Sequence, residues 1–266
     1  MKEMKKERKS ADCPVFQLVF WGGFVNWFTK CTGVDMIEML KRPGGQLASR
    51  PLHFFWLVDC SGSMEGEKME SVNYAIKQTI PDMRAAAEDN PNAQLLIRTI
   101  AFSTGAKWEQ EEPTPIEEFS FKPFKAHGLT DIGEAFGMLA EQLTIPPMSD
   151  RALPPVIVVL SDGRPTDDYR AAIQKLMALP WGKKAVKIAI SIGTDADDEM
   201  LAEFTGNKDL VLQANNPQAL VKMIKWASTV AKQVSAPNSN PTANSLLPLD
   251  MNTIPTEDDI DAADVW

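Results

Sequence analysis

Only two histidines and three cysteines occur in these 266 residues, and that scarcity removes several chemistries at the outset. Cys13, Cys31 and Cys60 have neither the number of a disulfide framework nor a metal-ligand spacing. A reduced, cytoplasmic setting is therefore the default expectation. With only His53 and His127 present, a nucleophilic triad has few candidate bases. Clustered Lys and Arg are also lacking, and the formal net charge is −9. Nucleic acid is thus not an expected partner, because phosphate backbones are bound by gathered cations. No apolar run reaches the roughly 20 residues that cross a bilayer, so a membrane is not expected to be spanned.

The segment nearest to such a run is "PVFQLVFWGGFVNWF" (14–28), which Gln17, Asn26 and the Gly22-Gly23 pair interrupt. It follows the basic "MKEMKKERK" in the order of a signal peptide, but no small-residue cleavage site comes after it. Three readings stay open: a peripheral membrane anchor, a partner-docking strip, or sequence upstream of a true start at Met36 or Met39. At the other end, residues 236–266 hold six acids, four prolines and no Lys or Arg. Such a stretch cannot bury a core and should be extended. "TEDDIDAADVW" could solubilise, dock a partner, or fold back to place an acid on a metal.

What is present between these ends is an ordinary soluble composition, 44% hydrophobic and 24% charged. The length suits one large α/β domain over 51–235, with extensions at 1–50 and 236–266. Short continuous apolar runs at 52–58, 93–102, 154–161, 185–193 and 210–213 read as strands buried on both faces, with an edge strand at 106–110. Between them Met69, Val72, Ile76, Ile80, Met83 and Ala87 recur at helical spacing, in a helix that Pro81 should kink or split. Further helices are expected at 131–143, 167–178, 197–206 and 216–234, with "LPWGKK" as a loop. Strand and helix alternate, which predicts a doubly wound, mostly parallel central sheet flanked by helices. Ligands of such sheets sit at the carboxyl ends of the strands.

At the end of the first strand stands "DCSGSMEGEKM", with Asp59, Ser61 and Ser63 at alternate positions. A phosphate-cradling loop would need glycine at 67 and a hydroxyl at 69, where the chain has Glu67 and Met69; only Lys68 is in place. A phosphatase of the haloacid-dehalogenase type would need an aspartate where Ser61 stands. The serine elbow G-x-S-x-G is absent around Ser63. His53 lies within a strand as a packed residue, His127 shapes a loop, and Cys60 reads as a small packed residue. A hard-cation site fits better. Mg²⁺ prefers oxygen ligands and retains waters, and Gly62 should let the loop curl until both serines face inward. Thr130 in "AHGLTDIG" and Asp162 in "LSDGRPTDD" add oxygens from neighbouring loops. "DADDEM" (195–200) lacks the twelfth-position Glu of an EF-hand and reads as an acid-rich helix start. Trp108 and Trp181 are possible marks of a partner surface.

The trio "DCSGSM", "GLTDIG" and "LSDGRPTDD" resembles the metal-ion-dependent adhesion site (MIDAS) of von Willebrand factor type A domains. The resemblance implies Asp59, Ser61, Ser63, Thr130 and Asp162 around one Mg²⁺ or Mn²⁺, some acting through water, with a protein partner presenting Asp or Glu to the ion. Met64, Leu129 and Arg164 are the partner contacts it implies; Leu129 stands where the family often has glycine. "LPWGKKAVKIAISIGTDADDEML" and "LQANNPQALVKMIKWAS" are similar to the TerY-like bacterial branch. That branch implies a tellurite-resistance or stress setting, with Ser/Thr kinases and PP2C-type phosphatases as partners. The expectation is a non-enzymatic interaction adaptor. The alternatives are a hydrolase or phosphotransferase using the same metal, and a scaffold with a degenerate site.

Overall fold

The structure, a computed structural model, describes residues 49–90, 93–194 and 196–235. The N-terminal segment and the acidic tail, with the readings given for them, lie outside the described residues. The chain runs β1 (Arg50–Asp59), α1 (Glu67–Glu88), β2 (Ala93–Ser103), β3 (Gly105–Trp108), β4 (Thr114–Pro115), α2 (Ile132–Gln142) and β5 (Val156–Ser161). It continues α3 (Tyr169–Ala178), α4 (Pro180–Lys184), β6 (Val186–Ile192), α5 (Asp198–Thr205), β7 (Val211–Ala214) and α6 (Pro217–Ser235). The sheet order is β3-β2-β1-β5-β6-β7, with β4 paired to β2. β3 and β4 run antiparallel to β2, and the other pairings are parallel. The expected doubly wound α/β sheet is the fold observed.

The continuous apolar run of β1 follows from burial on both sides. Side chains alternate across a strand. Leu52, Phe54, Trp56 and Val58 join Val72 and Ile76 of α1 and Leu220 and Ile224 of α6. Phe55 and Leu57 turn the other way, toward Phe136 and Leu139 of α2, Ile173 of α3 and Phe204 of α5. Phe136 and Phe204 stack at 4.9 Å between centroids. Truncating a fully buried residue such as Phe54 would cost about 3–5 kcal/mol.

Two local expectations are corrected. Helix α1 runs through Pro81 without a break. Pro81 is exposed while Ile76, Ile80 and Met83 are buried. The lost hydrogen bond thus falls on the water-facing side, and packing of the other face outweighs it. "LPWGKK" forms the short helix α4 instead of a loop, with Pro180 in the first turn, where its missing N–H costs nothing.

The topology places the site. From β1 the chain moves to β2 on one side and later returns to β5 on the other. The crevice at the carboxyl ends of β1 and β5 is the switch point where doubly wound sheets bind ligands. Asp59 closes β1, and Asp162 follows the last residue of β5.

Candidate metal site

Asp59 is fully buried. Its Oδ1 accepts the Ser61 backbone N–H at 2.8 Å, and its Oδ2 accepts the Ser161 hydroxyl at 2.6 Å. A 3₁₀ turn over Gly62–Met64 then brings the Ser61 and Ser63 hydroxyl oxygens to 3.0 Å from each other. Ser63 Oγ donates to Asp162 Oδ1 at 2.7 Å. Met64, expected to contact a partner, is instead a core residue at 0% exposure, since the same turn that lifts Ser63 outward sends the next side chain inward.

The second loop is tied to the first by backbone bonds. His127 N–H donates to the Cys60 carbonyl at 2.7 Å, and Gly62 N–H to the Gly128 carbonyl at 3.0 Å. Gly62 is not among the left-handed glycines; it contributes an amide more than a special curl. The conformational demand falls on Gly128, whose φ is 82°. A Cβ there would meet Thr104 Oγ1 at 2.5 Å. Leu129, next to it, is 55% exposed at the rim. Thr130 exchanges bonds with the third loop: its N–H donates to Thr166 Oγ1 at 3.1 Å, and its carbonyl accepts Thr166 N–H at 2.9 Å.

The third loop carries Asp162, 1% exposed, and Gly163. Gly163 marks where the loops converge. A Cβ built on it would stand 3.1 Å from Thr130 Oγ1, 3.5 Å from Ser63 Oγ and 3.7 Å from Asp59 Oδ2. Oxygens from two other loops thus surround one small space that the missing side chain leaves open, and Asp162 and Ser61 join it through Ser63. All five residues expected as ligands are brought together. Two carboxylates and three hydroxyls around a space that a Cβ would fill are the donor set a small hard cation takes, so the residues fit such an ion. Burial pushes the Asp59 carboxyl up to about 6, and the nearby Asp162 charge adds to this against the hydrogen bonds from Ser161 and Ser61. A cation in that space would relieve the cost of the buried charge. Among the described residues no group of three or more His, Cys, Asp and Glu side chains is placed to hold a metal, so the arrangement depends on hydroxyls.

Several supporting residues have no mark in the motif. Ser161 donates to Asp59 from the end of β5. Asp167 accepts Gly133 N–H at 2.9 Å and Glu134 N–H at 2.8 Å, capping α2 from a different loop. Lys68 Nζ donates to Asp162 Oδ2 at 2.7 Å. A cavity of about 470 Å³ adjoins the first two loops, lined in part by Thr104, Lys107, Lys125 and His127. Arg164 is exposed on the third loop. His53 is a packed residue stacked on Phe55, lowered to about 4 by burial and by the Arg98 charge. The Cys60 thiol is pushed up to about 12, chiefly by burial and then by Asp59, which makes it a poor nucleophile. Asp197 accepts Met200 N–H at 3.0 Å as the cap of α5, so the acids of 197–199 do begin a helix. Trp181 is buried, and the half-buried Trp108 ring lies under Arg98 at 3.8 Å.

The sequence model of the von Willebrand factor type A domain matches residues 55–226. No curated protein matches significantly. Among solved structures, a von Willebrand factor type A protein from Catenulispora acidiphila superposes with TM-score 0.53 at 16% identity, over 69% of this chain and 43% of that one. The pilus adhesin SpaC from Lactobacillus rhamnosus GG gives TM-score 0.57 at 14% identity, over 71% and 31%. Proximal thread matrix protein 1 from the mussel byssus, in a form with zinc occupied MIDAS motif, gives 0.53 at 17% identity, over 70% and 48%. At these identities the likeness concerns the fold. The chain spans less than half the length of each of these structures.

Proposed function

Taking as premise that the chain belongs to the von Willebrand factor type A family, to which the match over 55–226 assigns it, we propose that it is a metal-dependent interaction adaptor. Domains of this family generally mediate protein–protein contacts. Asp59, Ser61, Ser63, Thr130 and Asp162 would hold Mg²⁺ or Mn²⁺, and the ion would supply a Lewis-acidic point that captures a partner's Asp or Glu. The protein's own part is to hold the three loops that carry these residues together by hydrogen bonds and to leave the Gly163 space open. Leu129 and Arg164, exposed beside those oxygens, would meet the partner.

The observation that carries this reading is the convergence of Asp59, Ser63 and Thr130 oxygens on the space beside Gly163. A solved relative of the same fold with zinc occupied MIDAS motif supports a divalent ion at this place. A non-enzymatic role is supported by the chemistry at hand: the Cys60 thiol is buried and pushed up to about 12, and His53 is packed in the core. The TerY-like wording of 179–201 and 212–228 supports a cytoplasmic adaptor in a bacterial stress or tellurite-resistance cluster, with a Ser/Thr kinase and a PP2C-type phosphatase as partners. Among the described residues no helix is long and apolar enough to cross a membrane.

Calorimetric titration of Mg²⁺ and Mn²⁺ into the full chain tests the site. One saturable event, lost in Asp59→Ala, is expected. Heat that is unchanged by that substitution would refute the assignment. Capture of a Ser/Thr kinase or a PP2C-type phosphatase by the full chain, abolished by EDTA, tests the adaptor role.

A further inference from the structure

We infer that Lys68 sets the charge balance of this site. It holds Asp162 when no divalent ion is bound, weakens the binding of that ion, and leaves the bound ion with a stronger pull on an anionic ligand. This inference rests on the metal-site reading above.

The ammonium of Lys68 is not a stray surface charge. It lies at the start of α1, and its Nζ donates to Asp162 Oδ2 at 2.7 Å. The Asp162 side chain is 0% exposed and that of Lys68 is 19% exposed. With Ser63 on Oδ1, both oxygens of Asp162 are engaged. Gly193, just past the end of β6, has φ 77°, and its N–H is pinned to the Ala214 carbonyl at 2.9 Å. A Cβ on Gly193 would stand 3.4 Å from Lys68 Nζ and 3.5 Å from Cε. A side chain there would be in ordinary contact with the lysine, so the glycine answers to its positive φ, and the ammonium passes beside it to Asp162.

The consequence is electrostatic. A buried carboxylate left without a partner is costly, and Lys68 supplies one in the metal-free protein. Asp59 and Asp162 bring two negative charges to the site, and Lys68 cancels one of them. An incoming divalent ion meets a single net negative charge and is held less tightly. Once bound, it leaves the site with a net positive charge, which a partner carboxylate then neutralises. Without Lys68 the loaded site would be neutral and less attractive to an anion. Lysine thereby moves affinity from the metal to the ligand.

The test uses the full chain with Lys68→Gln, Lys68→Met and Lys68→Arg. Gln keeps a neutral donor toward Asp162, Met removes it, and Arg keeps the charge. Mn²⁺ is titrated calorimetrically in sodium chloride and in sodium acetate, corrected for acetate's own affinity for Mn²⁺, and melting is followed in EDTA. Lys68→Gln should bind Mn²⁺ about tenfold more tightly than the wild type, with Lys68→Arg close to wild type. The gain in Mn²⁺ affinity that acetate gives the wild type should shrink in Lys68→Gln. Lys68→Met should melt lower in EDTA, and if it does not fold, the Gln and Arg proteins decide the matter. Equal or weaker Mn²⁺ binding by Lys68→Gln would overturn the inference alone and make Lys68 a positioning residue. Mn²⁺ binding to none of the proteins would overturn both this inference and the metal-site reading.

Discussion

At the carboxyl ends of the strands Asp59 and Asp162 are buried and accept hydrogen bonds from Ser161, Ser63 and Lys68. At the amino ends the buried or anchored charges are cations, and they end on backbone carbonyls. Arg50 donates to the carbonyls of Arg151 and Ala152 at 2.9 and 3.0 Å. Lys187, buried on β6, donates to those of Gly182 and Ala185 at 3.1 and 3.3 Å. A backbone carbonyl cannot leave its cation without unmaking the chain's path, so the amino-end bonds serve the fold. The carboxyl-end acids face hydroxyls, which can turn from donating to one oxygen to donating elsewhere while their lone pairs receive a cation. One rim ties its charges to the backbone; at the other they stand against side-chain hydroxyls and one ammonium.

The largest break in this contrast should come from Asp59→Ala. It should abolish Mg²⁺ binding by titration calorimetry, whereas Arg50→Ala should leave that affinity unchanged. Next is pH. His53 sits in the amino-end half of β1, and burial and Arg98 lower it from 6.5 to about 4. A histidine depressed in the folded state contributes stability that is complete above 6.5 and is lost as pH falls toward 4. Wild type should therefore lose up to about 3 kcal/mol relative to His53→Phe across that window. Urea unfolding of both proteins in EDTA measures the difference. Background titration common to both, including that of Asp59, cancels in the comparison. If the two curves stay parallel, His53 does not titrate as its surroundings require.

Gly163→Val sharpens the contrast from the other side. It fills the space among Thr130, Ser63 and Asp59, and should weaken Mg²⁺ binding about tenfold or more. Arg50→Ala should give the smallest effect, a loss of about 1 kcal/mol in chemical denaturation, because its hydrogen bonds lie at a partly exposed edge.

Much of this was legible along the chain because the signals are local. The apolar runs of 52–58 and 154–161 became β1 and β5 within two residues at each end. Asp59, Ser61 and Ser63 share one short loop, and their spacing survives folding unchanged. What could not be read depends on residues far apart. Lys68 and Asp162 are 94 positions apart and meet at 2.7 Å. Ser161 reaches Asp59 across 102 positions. Asp167 caps a helix that begins 35 residues before it. Met64 reads as an exposed neighbour of Ser63 until the direction of its turn is known.

Sequence alone settled the period of the strands, the alternation with helices, and the oxygen-bearing residues at the ends of β1 and β5. Each is set by near neighbours and by which side chains water excludes. Only the tertiary structure decided that Pro81 could be carried within α1, that Gly163 leaves a space among three oxygens, and that Lys68 lies against Asp162. Those outcomes depend on which loops the sheet order brings side by side at one rim, and no local pattern encodes that distance.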